Sequence, residues 1–294
     1  MKNLFANPYL LLTLTVLSWS GNMVIGRGVR GDIPPLTFAF WRWVIAFLLI
    51  LPLALPHLKT QWPLLKKGWK PLLVLGLLGV GGYNTFAYLA LQDTTATNAA
   101  LLNSFIPIAT IAISWAFLGK HLRRIEGIGV VVSLCGAMTI ISRGDIAVLA
   151  HLNLNVGDVW MLVAVLDWAI YTVALAWRPA GVHPMLMLGA TTVIGLSALA
   201  PAYAWEMAQG RVMNIHFGSL SALAYVGIFP SFLGYIFYNK GVAEVGPNKA
   251  SLFIHLMPVF GTLLSFLFLG EIPFWYHYLG IGLIFTGIWL TTKR

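Results

Sequence analysis

Ten apolar stretches, each about as long as a membrane-spanning helix, follow one another along this sequence. An α-helix needs about 20 mostly apolar residues to cross the hydrocarbon core of a bilayer. Such stretches lie at residues 8–26, 35–55, 71–92, 97–119, 125–142, 157–177, 184–205, 217–239, 249–270 and 275–292. Because the segments between them are short, the sequence predicts an all-α integral membrane protein of ten transmembrane helices without a soluble domain.

The composition favours a membrane location and excludes several other classes of protein. Charged residues make up 9% of the chain and hydrophobic residues 59%, whereas about 25% of the residues in a soluble domain are charged. The net charge of +9 is not gathered into a basic stripe, so we expect no nucleic-acid partner. Cys135 is the single cysteine and has no intramolecular disulfide partner. The first stretch follows Lys2 without a small-residue cleavage site, which indicates a retained helix and not a signal peptide.

The lysines and arginines orient the predicted bundle. With both termini in the cytoplasm, thirteen of them fall in cytoplasmic segments and four in external segments. The external four are Arg27, Arg30, Arg143 and Arg211. Cytoplasmic loops of membrane proteins carry an excess of Lys and Arg. The distribution therefore predicts a multi-pass membrane protein with both termini in the cytoplasm.

The two halves of the chain repeat one pattern. A shift of 151 residues aligns Pro107 with Pro258, and a shift of 149 residues aligns Trp19 with Trp168. The same shifts align further pairs: Ser114 and Ser265, Gly129 and Gly280, Gly136 and Gly287, Pro35 and Pro184, and Pro52 and Pro201. We therefore predict two five-helix repeats, residues 1–148 and 149–294. Because five is odd, the second repeat enters the membrane from the opposite side, as in secondary transporters whose substrate sites lie between inverted repeats.

A proline lies in the middle of the fourth stretch and of the ninth. Proline lacks an N–H and clashes with the carbonyl four residues earlier, so Pro107 should free the carbonyl of Asn103 and Pro258 that of Ile254. A free carbonyl in a membrane must be buried in protein or face a wet cavity. Two interpretations stay open: kinks that neighbouring helices satisfy, or a polar cavity lining near Asn103 and His255.

The motifs around these prolines resemble the EamA branch of the drug/metabolite transporter superfamily. The second copy reads GVAEVGPNKASLFIHLMPVFGTLLSFLFLGE, followed by GIGLIFTGIWL, and the first reads ALQDTTATNAALLNSFIPIATIAISWAFLGK. The start, LSWSGNMVIGR, is similar to the first helix of the family. One departure is Lys120, where the family usually has the glutamate that the second copy keeps as Glu271. The resemblance covers nearly the whole chain and implies a ten-helix carrier, often an exporter of amino acids or other small metabolites across the bacterial inner membrane.

Three ionisable residues fall inside the predicted helices, where a charge is costly. Arg42 lies a few residues into the second stretch, and we expect its guanidinium to snorkel to the outer surface or to pair with Asp32. Asp167, near the middle of the sixth stretch, is either hydrogen-bonded inside the bundle or a titrating cavity group. His255 either packs with one hydrogen bond or takes part in function. If transport is coupled to protons, Asp167 and His255 are the candidate carriers.

Polar and aromatic residues inside the helices form the predicted substrate-binding set. Trp19 and Asn22 share one face of the first helix. A buried tyrosine hydroxyl needs a partner, which favours the bundle interior over lipid. The full set is Trp19, Asn22, Tyr83, Asn84, Tyr88, Asn103, Trp168, Tyr171, Tyr235, Tyr238, Asn239 and His255. Core packing is the alternative for each of them, and Gly129 and Gly280 indicate close helix packing instead of a site.

A transporter is favoured over a membrane-embedded enzyme. The sequence contains no HExxH, GxSxG or CxxC motif and offers no convergent nucleophile and base, so we expect no enzymatic activity, cofactor or metal. The expected substrate is a small metabolite, above all an apolar or aromatic amino acid, which is moved by alternating access and exported. The alternative is a nucleotide sugar or another phosphorylated metabolite, which would require Arg or Lys in the cavity. The expected partners are the small-molecule substrate and the lipid bilayer, and a monomer is compatible with the sequence, which does not determine the oligomeric state.

Overall fold

A computed structural model describes residues 7–145, 147–148, 155–269 and 272–293 of the protein. Ten long helices lie within these ranges: α1 (Pro8–Gly28), α2 (Pro35–Lys67), α3 (Trp69–Asp93), α4 (Ala96–Asn103 and Ile106–Leu118), α5 (Arg124–Ile141), α6 (Val156–Trp177), α7 (Pro184–Ala208), α8 (Phe217–Val245), α9 (Pro247–Leu252, Phe253–Leu256 and Met257–Leu269) and α10 (Trp275–Thr292). The described part of the chain contains no β-strand. The prediction of an all-α integral membrane protein is confirmed.

Eight helices, α1 to α8, are long and apolar enough to cross a membrane. The helices α9 and α10 coincide with the ninth and tenth predicted stretches, but Glu271 between them lies outside the described residues, as do Lys2 and Arg294. The count of ten membrane crossings therefore stays a prediction. Helix α2 runs on to Lys67, beyond the predicted end at residue 55, because Leu65 still packs into the bundle and is buried.

The start of α2 is fixed by a carboxylate from another helix. Glu206, near the end of α7, is buried and accepts hydrogen bonds from the backbone N–H groups of Leu36 at 3.2 Å and Thr37 at 2.6 Å. The first N–H groups of a helix have no partner within the helix and favour a negative charge. Glu206 thereby holds the end of α2 from which Arg42 projects.

Both central prolines interrupt their helices, as the sequence predicts. Helix α4 breaks at residues 104–105, and in α9 a 3-10 turn, Phe253–Leu256, precedes Pro258. The prediction of a free carbonyl at Ile254 is wrong, because this carbonyl accepts the N–H of Met257 within the 3-10 turn. The tighter turn supplies a donor three residues on, in place of the one that proline lacks.

Helices α3 and α8 each contain a seven-residue π-helical segment, Gly76–Gly82 and Gly227–Leu233. The two segments begin 151 residues apart, the spacing of the sequence repeat. A π-helical turn shifts the hydrogen-bond register of a helix and is frequent at functional sites. The sequence prediction contained no such segments, and both of them lie where α3 and α8 approach the centre of the bundle.

Close glycine contacts join α5 and α10, as predicted. A Cβ atom on Gly129 would lie 2.6 Å from the carbonyl oxygen of Gly287, and one on Gly136 would lie 2.6 Å from that of Gly280. The shift of 151 relates Gly129 to Gly280 and Gly136 to Gly287. The repeat therefore converts each of the two contacts into the other, and this is the exchange of partners that inverted repeats produce. A two-fold axis between the helices produces this exchange. The contact is consistent with inverted halves, whose boundary at residue 148 stays a prediction.

Candidate functional site

A small cavity, here called the central chamber, lies between α1, α3, α6 and α8. Its lining residues are Trp19, Asn22, Met23, Tyr83, Asn84, Trp168 and Tyr235. All of these except Met23 belong to the predicted substrate-binding set. The volume open to the centre of a water molecule is about 10 Å³, which is roughly the space that one water needs. The chamber is therefore too small for a substrate in this structure.

Aromatic rings from both halves form the walls of the central chamber. Trp19 and Trp168, counterparts in the sequence repeat, pack edge to face with their ring centroids 4.9 Å apart. Trp168 also packs against Tyr83 at 5.0 Å and against Tyr235 at 5.6 Å. Tyr235 packs in turn against Trp43 at 4.7 Å. Ring pairs at these distances attract each other beyond the burial of their area, so the walls are held together by their own contacts.

Two backbone carbonyls of the π-helical segments bind these rings. The Nε1 atom of Trp19 donates to the carbonyl of Pro230 at 3.0 Å, and the hydroxyl of Tyr235 donates to the carbonyl of Gly79. Gly79 and Pro230 are 151 residues apart and lie at matching positions of the two segments. In a regular helix these carbonyls would accept hydrogen bonds from N–H groups of the same helix. In the π-helical segments they accept from chamber residues and so position them.

Three predicted residues, Tyr171, Tyr238 and Asn239, lie one layer behind the lining. The Tyr171 hydroxyl donates to Asn239 Oδ1 at 2.7 Å, and the Tyr238 hydroxyl is 2.9 Å from Thr172 Oγ1. The Tyr238 ring packs against Trp168 with centroids 5.2 Å apart. These residues hold α6 against α8 and support the chamber wall from outside.

The structure corrects the predicted position of Arg42. Its side chain is 1% exposed, so the guanidinium does not snorkel to the surface. It does not pair with Asp32 either, whose carboxylate lies 3.5 Å from Nε2 of His216. The guanidinium instead lies inside the bundle between α1, α3 and α8.

Neutral oxygen atoms surround the Arg42 guanidinium. Its Nε donates to Ser231 Oγ at 2.7 Å, and its Nη1 donates to Asn22 Oδ1 at 3.1 Å, to Asn84 Oδ1 at 2.5 Å and to the Tyr88 hydroxyl. The Tyr88 hydroxyl donates in turn to Asn22 Oδ1 at 2.7 Å. The Nη2 atom makes no hydrogen bond to the residues that the structure describes. Because Asn22 and Asn84 line the central chamber, the guanidinium lies directly behind that lining.

No acidic partner offsets the charge of Arg42 within the described ranges. The ion pairs found there join Glu126 to Arg123 and Lys249, and Asp32 to His216. A charged side chain at the centre of a membrane helix costs about 2.5–3.5 kcal/mol on insertion scales. The amide and hydroxyl oxygens reduce this cost but leave the positive charge unneutralised, which makes the site attractive to an anion.

The sequence contained a signal that could have located Arg42. The positions that share its helix face, Ala39, Ala46 and Ile50, are small or aliphatic and buried. The opposite face carries Leu48, which is 63% exposed. The side chains on the same helix face therefore indicate whether a charged residue points into the bundle. Its depth along the helix is a weaker indication.

Asp167 lies inside the bundle, behind the lining of the central chamber, and its role stays a prediction. It is 6% exposed, and its carboxylate packs against Gly82, the residue before Tyr83. Its Oδ2 atom has no hydrogen-bond partner among the described residues. A Cβ atom on Gly82 would lie only 2.1 Å from Oδ1, so the carboxylate fits here because α3 has a glycine at this point.

His255 lies apart from the central chamber, where α4, α5 and α9 meet. Its Nε2 is 3.0 Å from the carbonyl oxygen of Ser104, and its Nδ1 is 2.8 Å from Ser133 Oγ. A carbonyl only accepts, so Nε2 carries the proton and Nδ1 accepts from the Ser133 hydroxyl. With both nitrogens bonded at the kink of α4, the packing interpretation is favoured. Asn103 does connect to the chamber, because its Oδ1 accepts the Tyr83 hydroxyl at 3.1 Å.

Comparison with known proteins identifies a family that matches almost the entire chain. The model of the EamA-like transporter family matches residues 7–142 and again residues 155–293. An uncharacterized transporter of Archaeoglobus fulgidus is 27% identical over 299 residues, which cover 98% of this chain and 98% of the relative. The uncharacterized transporter YyaM of Bacillus subtilis is 26% identical over 266 residues, which cover 90% of this chain and 87% of the relative.

A solved protein structure has the same fold. This crystal structure superposes with a TM-score of 0.78 at 20% sequence identity and covers 98% of this chain and 96% of the other. At this identity the likeness supports the fold alone. The family and the names of the relatives point to a membrane transporter and not an enzyme, which agrees with the sequence prediction.

Proposed function

The chain belongs to the EamA-like transporter family, and from this premise we propose that it transports amino acids with apolar or aromatic side chains by alternating access. The observation that carries the proposal is Arg42, a buried cation without an acidic partner in the described structure. It lies behind Asn22 and Asn84, two lining residues of the central chamber. A substrate carboxylate is the anion that such a site recognises.

The chemistry of a guanidinium explains how the carboxylate binds. A carboxylate accepts two parallel N–H bonds from arginine, and such charge-assisted bonds are stronger than bonds to neutral oxygens. In this structure the Nη1 atom donates to the amide oxygens of Asn22 and Asn84, while Nη2 donates no hydrogen bond to a described residue. A substrate carboxylate takes the place of the amide oxygens and neutralises the charge that they only solvate.

The aromatic walls account for the side-chain preference. Trp19, Trp168 and Tyr235 meet at the centre, and rings of this kind stack against an aromatic side chain or cover an alkyl chain without requiring a charge. The chamber holds about one water molecule in this structure, so a substrate enters only when the bundle opens towards one side. Broken helices and inverted repeats supply that movement in secondary transporters. Export across the inner membrane is the direction that the family resemblance implies.

A phosphorylated metabolite is the second candidate, and Arg42 is also the observation that favours it. A phosphate ester carries more negative charge than a carboxylate, and proteins bind it with several Arg or Lys groups. Arg42 is the one buried Arg or Lys side chain in the described structure. A single cation suits a monocarboxylate better, which ranks the phosphorylated substrate second.

Counterflow into proteoliposomes containing the purified protein tests the proposal. The panel contains L-phenylalanine, L-leucine, phenethylamine, which lacks the carboxylate, and a sugar phosphate. We expect uptake of the amino acids above that of the other two, and a loss of roughly 10- to 100-fold in apparent affinity for Arg42→Gln. Arg211→Gln, which removes a surface charge, is the matched control. Wild-type protein that exchanges neither amino acid, or an Arg42→Gln variant that behaves like the control, would contradict the proposal.

A further inference from the structure

Asp167 is a second buried ionisable group beside the central chamber. Its Oδ2 atom lacks a hydrogen-bond partner in the described structure, and no described base lies within ion-pair distance. A carboxylate oxygen that is buried without a partner costs free energy. A basic group, Arg42, and an acidic group, Asp167, are thus both buried and are not paired with each other.

The position of Asp167 relates it to the same chamber as Arg42. The carboxylate packs against Gly82, and Asn84, two residues further on, accepts a hydrogen bond from Arg42. Trp168, which follows Asp167 on α6, lines the chamber together with Tyr83 and Asn84. The lining therefore separates the acidic group from the basic one.

Two tyrosines of the lining connect the two groups. Tyr83 follows Gly82, against which the Asp167 carboxylate packs, and the Tyr235 hydroxyl lies 3.4 Å from Nδ2 of Asn84, whose Oδ1 accepts from Arg42. Both tyrosines line the central chamber. A small molecule in an opened chamber therefore experiences a positive charge from the side of α2 and a carboxylate from the side of α6.

We infer that Asp167 binds the substrate ammonium group, so that Arg42 and Asp167 together select a zwitterionic α-amino acid. The inference rests on the proposed function and deepens it. An ammonium group offers three N–H donors, one of which satisfies Oδ2. A ligand that lacks the amine leaves this oxygen without a partner, and such a loss discriminates strongly between otherwise similar ligands.

Three ligands that share a phenyl ring separate the two charges. L-Phenylalanine carries both of them, 3-phenylpropionate lacks the ammonium group and phenethylamine lacks the carboxylate. Tryptophan fluorescence in detergent micelles reports their binding, since Trp19 and Trp168 line the chamber. We expect wild-type protein to bind L-phenylalanine roughly 10- to 100-fold more tightly than 3-phenylpropionate.

The isosteric variant Asp167→Asn assigns this selectivity to a residue. It should lose roughly 10- to 100-fold in affinity for L-phenylalanine and retain the wild-type affinity for 3-phenylpropionate. Glu244→Gln removes an exposed carboxylate and should change neither affinity. If Asp167→Asn does not fold, the inference is tested by the ratio of the wild-type affinities for L-phenylalanine and 3-phenylpropionate.

The outcomes distinguish this inference from the proposed function. Binding of neither L-phenylalanine nor 3-phenylpropionate to wild-type protein overturns both. Equal binding of the two ligands to wild-type protein overturns the role of Asp167 and leaves the carboxylate site standing. Equal weakening of both ligands by Asp167→Asn, with loss of a response to a pH gradient, would identify Asp167 as a proton carrier and would also overturn the inference.

Discussion

At the scale of single residues, Trp168 is the ring on which the central chamber depends most. It is buried, and it packs within 5.6 Å of five other aromatic rings, those of Trp19, Tyr83, Tyr171, Tyr235 and Tyr238. These rings come from α1, α3, α6 and α8, so a change at Trp168 reaches every wall of the chamber. Tyr83 and Tyr235 also line the chamber and contribute hydroxyls.

Alanine substitution of Trp168, Tyr83 or Tyr235 should impair transport. Each variant removes a wall against which the substrate packs, and we expect its transport rate to fall about tenfold or more. Proteoliposome exchange measures the rate, and immunoblotting of membranes measures the abundance, which we expect to remain intact. Trp160→Ala, on the partly exposed face of the same helix as Trp168, should transport normally. Normal transport by all three chamber variants would mean that the substrate path lies elsewhere.

The sequence predicted the ring and amide residues of the chamber better than its charged residues. A tyrosine or asparagine inside a membrane helix needs a partner in the bundle, so residue type alone indicates the interior. For Arg42 the residue type leaves two positions of the guanidinium open, because the long side chain reaches either the surface or the interior. The rotation of α2 decides between them, and contacts with Ser231, Asn22 and Asn84 on other helices fix that rotation.

At the scale of the helices, the contact between α5 and α10 depends on the absence of side chains at four glycines. The Cβ atoms that alanine would add at Gly129 and Gly287 would lie 2.6 Å and 2.4 Å from backbone carbonyl oxygens. Backbone cannot yield as a flexible side chain does, so these positions tolerate no additional carbon atom. Each helix also carries a glycine with open space around it, Gly127 in α5 and Gly282 in α10.

Alanine at Gly129 or Gly287 should therefore destabilise the bundle. Overpacking of a close contact costs about 1–3 kcal/mol, which would appear as a lower unfolding temperature in detergent. Gly127→Ala and Gly282→Ala are matched controls. They should be neutral or slightly stabilising, because alanine is the better helix former. Equal unfolding temperatures for the two pairs of variants would contradict the contact.

The junction of α2 and α7 should weaken in acid. The rings of His57 and His183 stack with centroids 3.7 Å apart, and the backbone N–H of His183 donates to Gln61 Oε1 at 2.7 Å. Burial, and then the charge of His57, lower the pKa of His183 below its usual value. The folded protein thus binds this proton less readily than the unfolded chain, so stability is fully present above about pH 6.5 and falls as the pH decreases below it.

Thermal unfolding between about pH 7.5 and pH 5.5 measures this effect. His183→Asn keeps a side chain suited to begin α7 and removes the titrating ring, so its unfolding temperature should decline less than that of the wild type. The comparison of the two declines cancels the contributions of other titrating groups. Parallel declines in both proteins would exclude His183 as the source.

Among the helices, the kinks were predictable and the π-helical segments were not. Proline removes a donor wherever it stands, so Pro107 and Pro258 indicate interruptions directly. A π-helical segment has no such chemical marker. Its place in α3 depends on contacts from α6, where Tyr171 packs against Gly79 and Asp167 against Gly82 so closely that a Cβ atom would not fit.

At the scale of the whole molecule, residues related by the repeat meet one another. Trp19 packs against Trp168, and the side-chain amide of Asn84 is 3.4 Å from the hydroxyl of Tyr235, 151 residues away. The two buried ionisable residues beside the chamber, in contrast, have uncharged counterparts in the other half. The repeat places Thr191 opposite Arg42 and Ser18 opposite Asp167. One charge thus comes from each half, and a zwitterionic substrate bound to both would connect the two halves as they move.

The orientation of the bundle in the membrane is the last prediction. The distribution of Lys and Arg places the segment before α3 in the cytoplasm and the segment after it outside. Lys59 and Asp93, one on each side, are exposed. Because Cys135 is the single cysteine, a Cys135→Ser background makes each position accessible to a thiol-specific reagent without competing sites.

An impermeant maleimide applied to intact cells should label Asp93→Cys and not Lys59→Cys. In inverted membrane vesicles the pattern should reverse, and the Cys135→Ser protein should stay unlabelled in both. The opposite pattern would overturn the assignment of cytoplasmic termini. Labelling of both positions from one side would show that α3 does not cross the membrane. An uncrossed α3 would also remove the odd number of crossings in the first half, on which the inverted relation of the two halves depends.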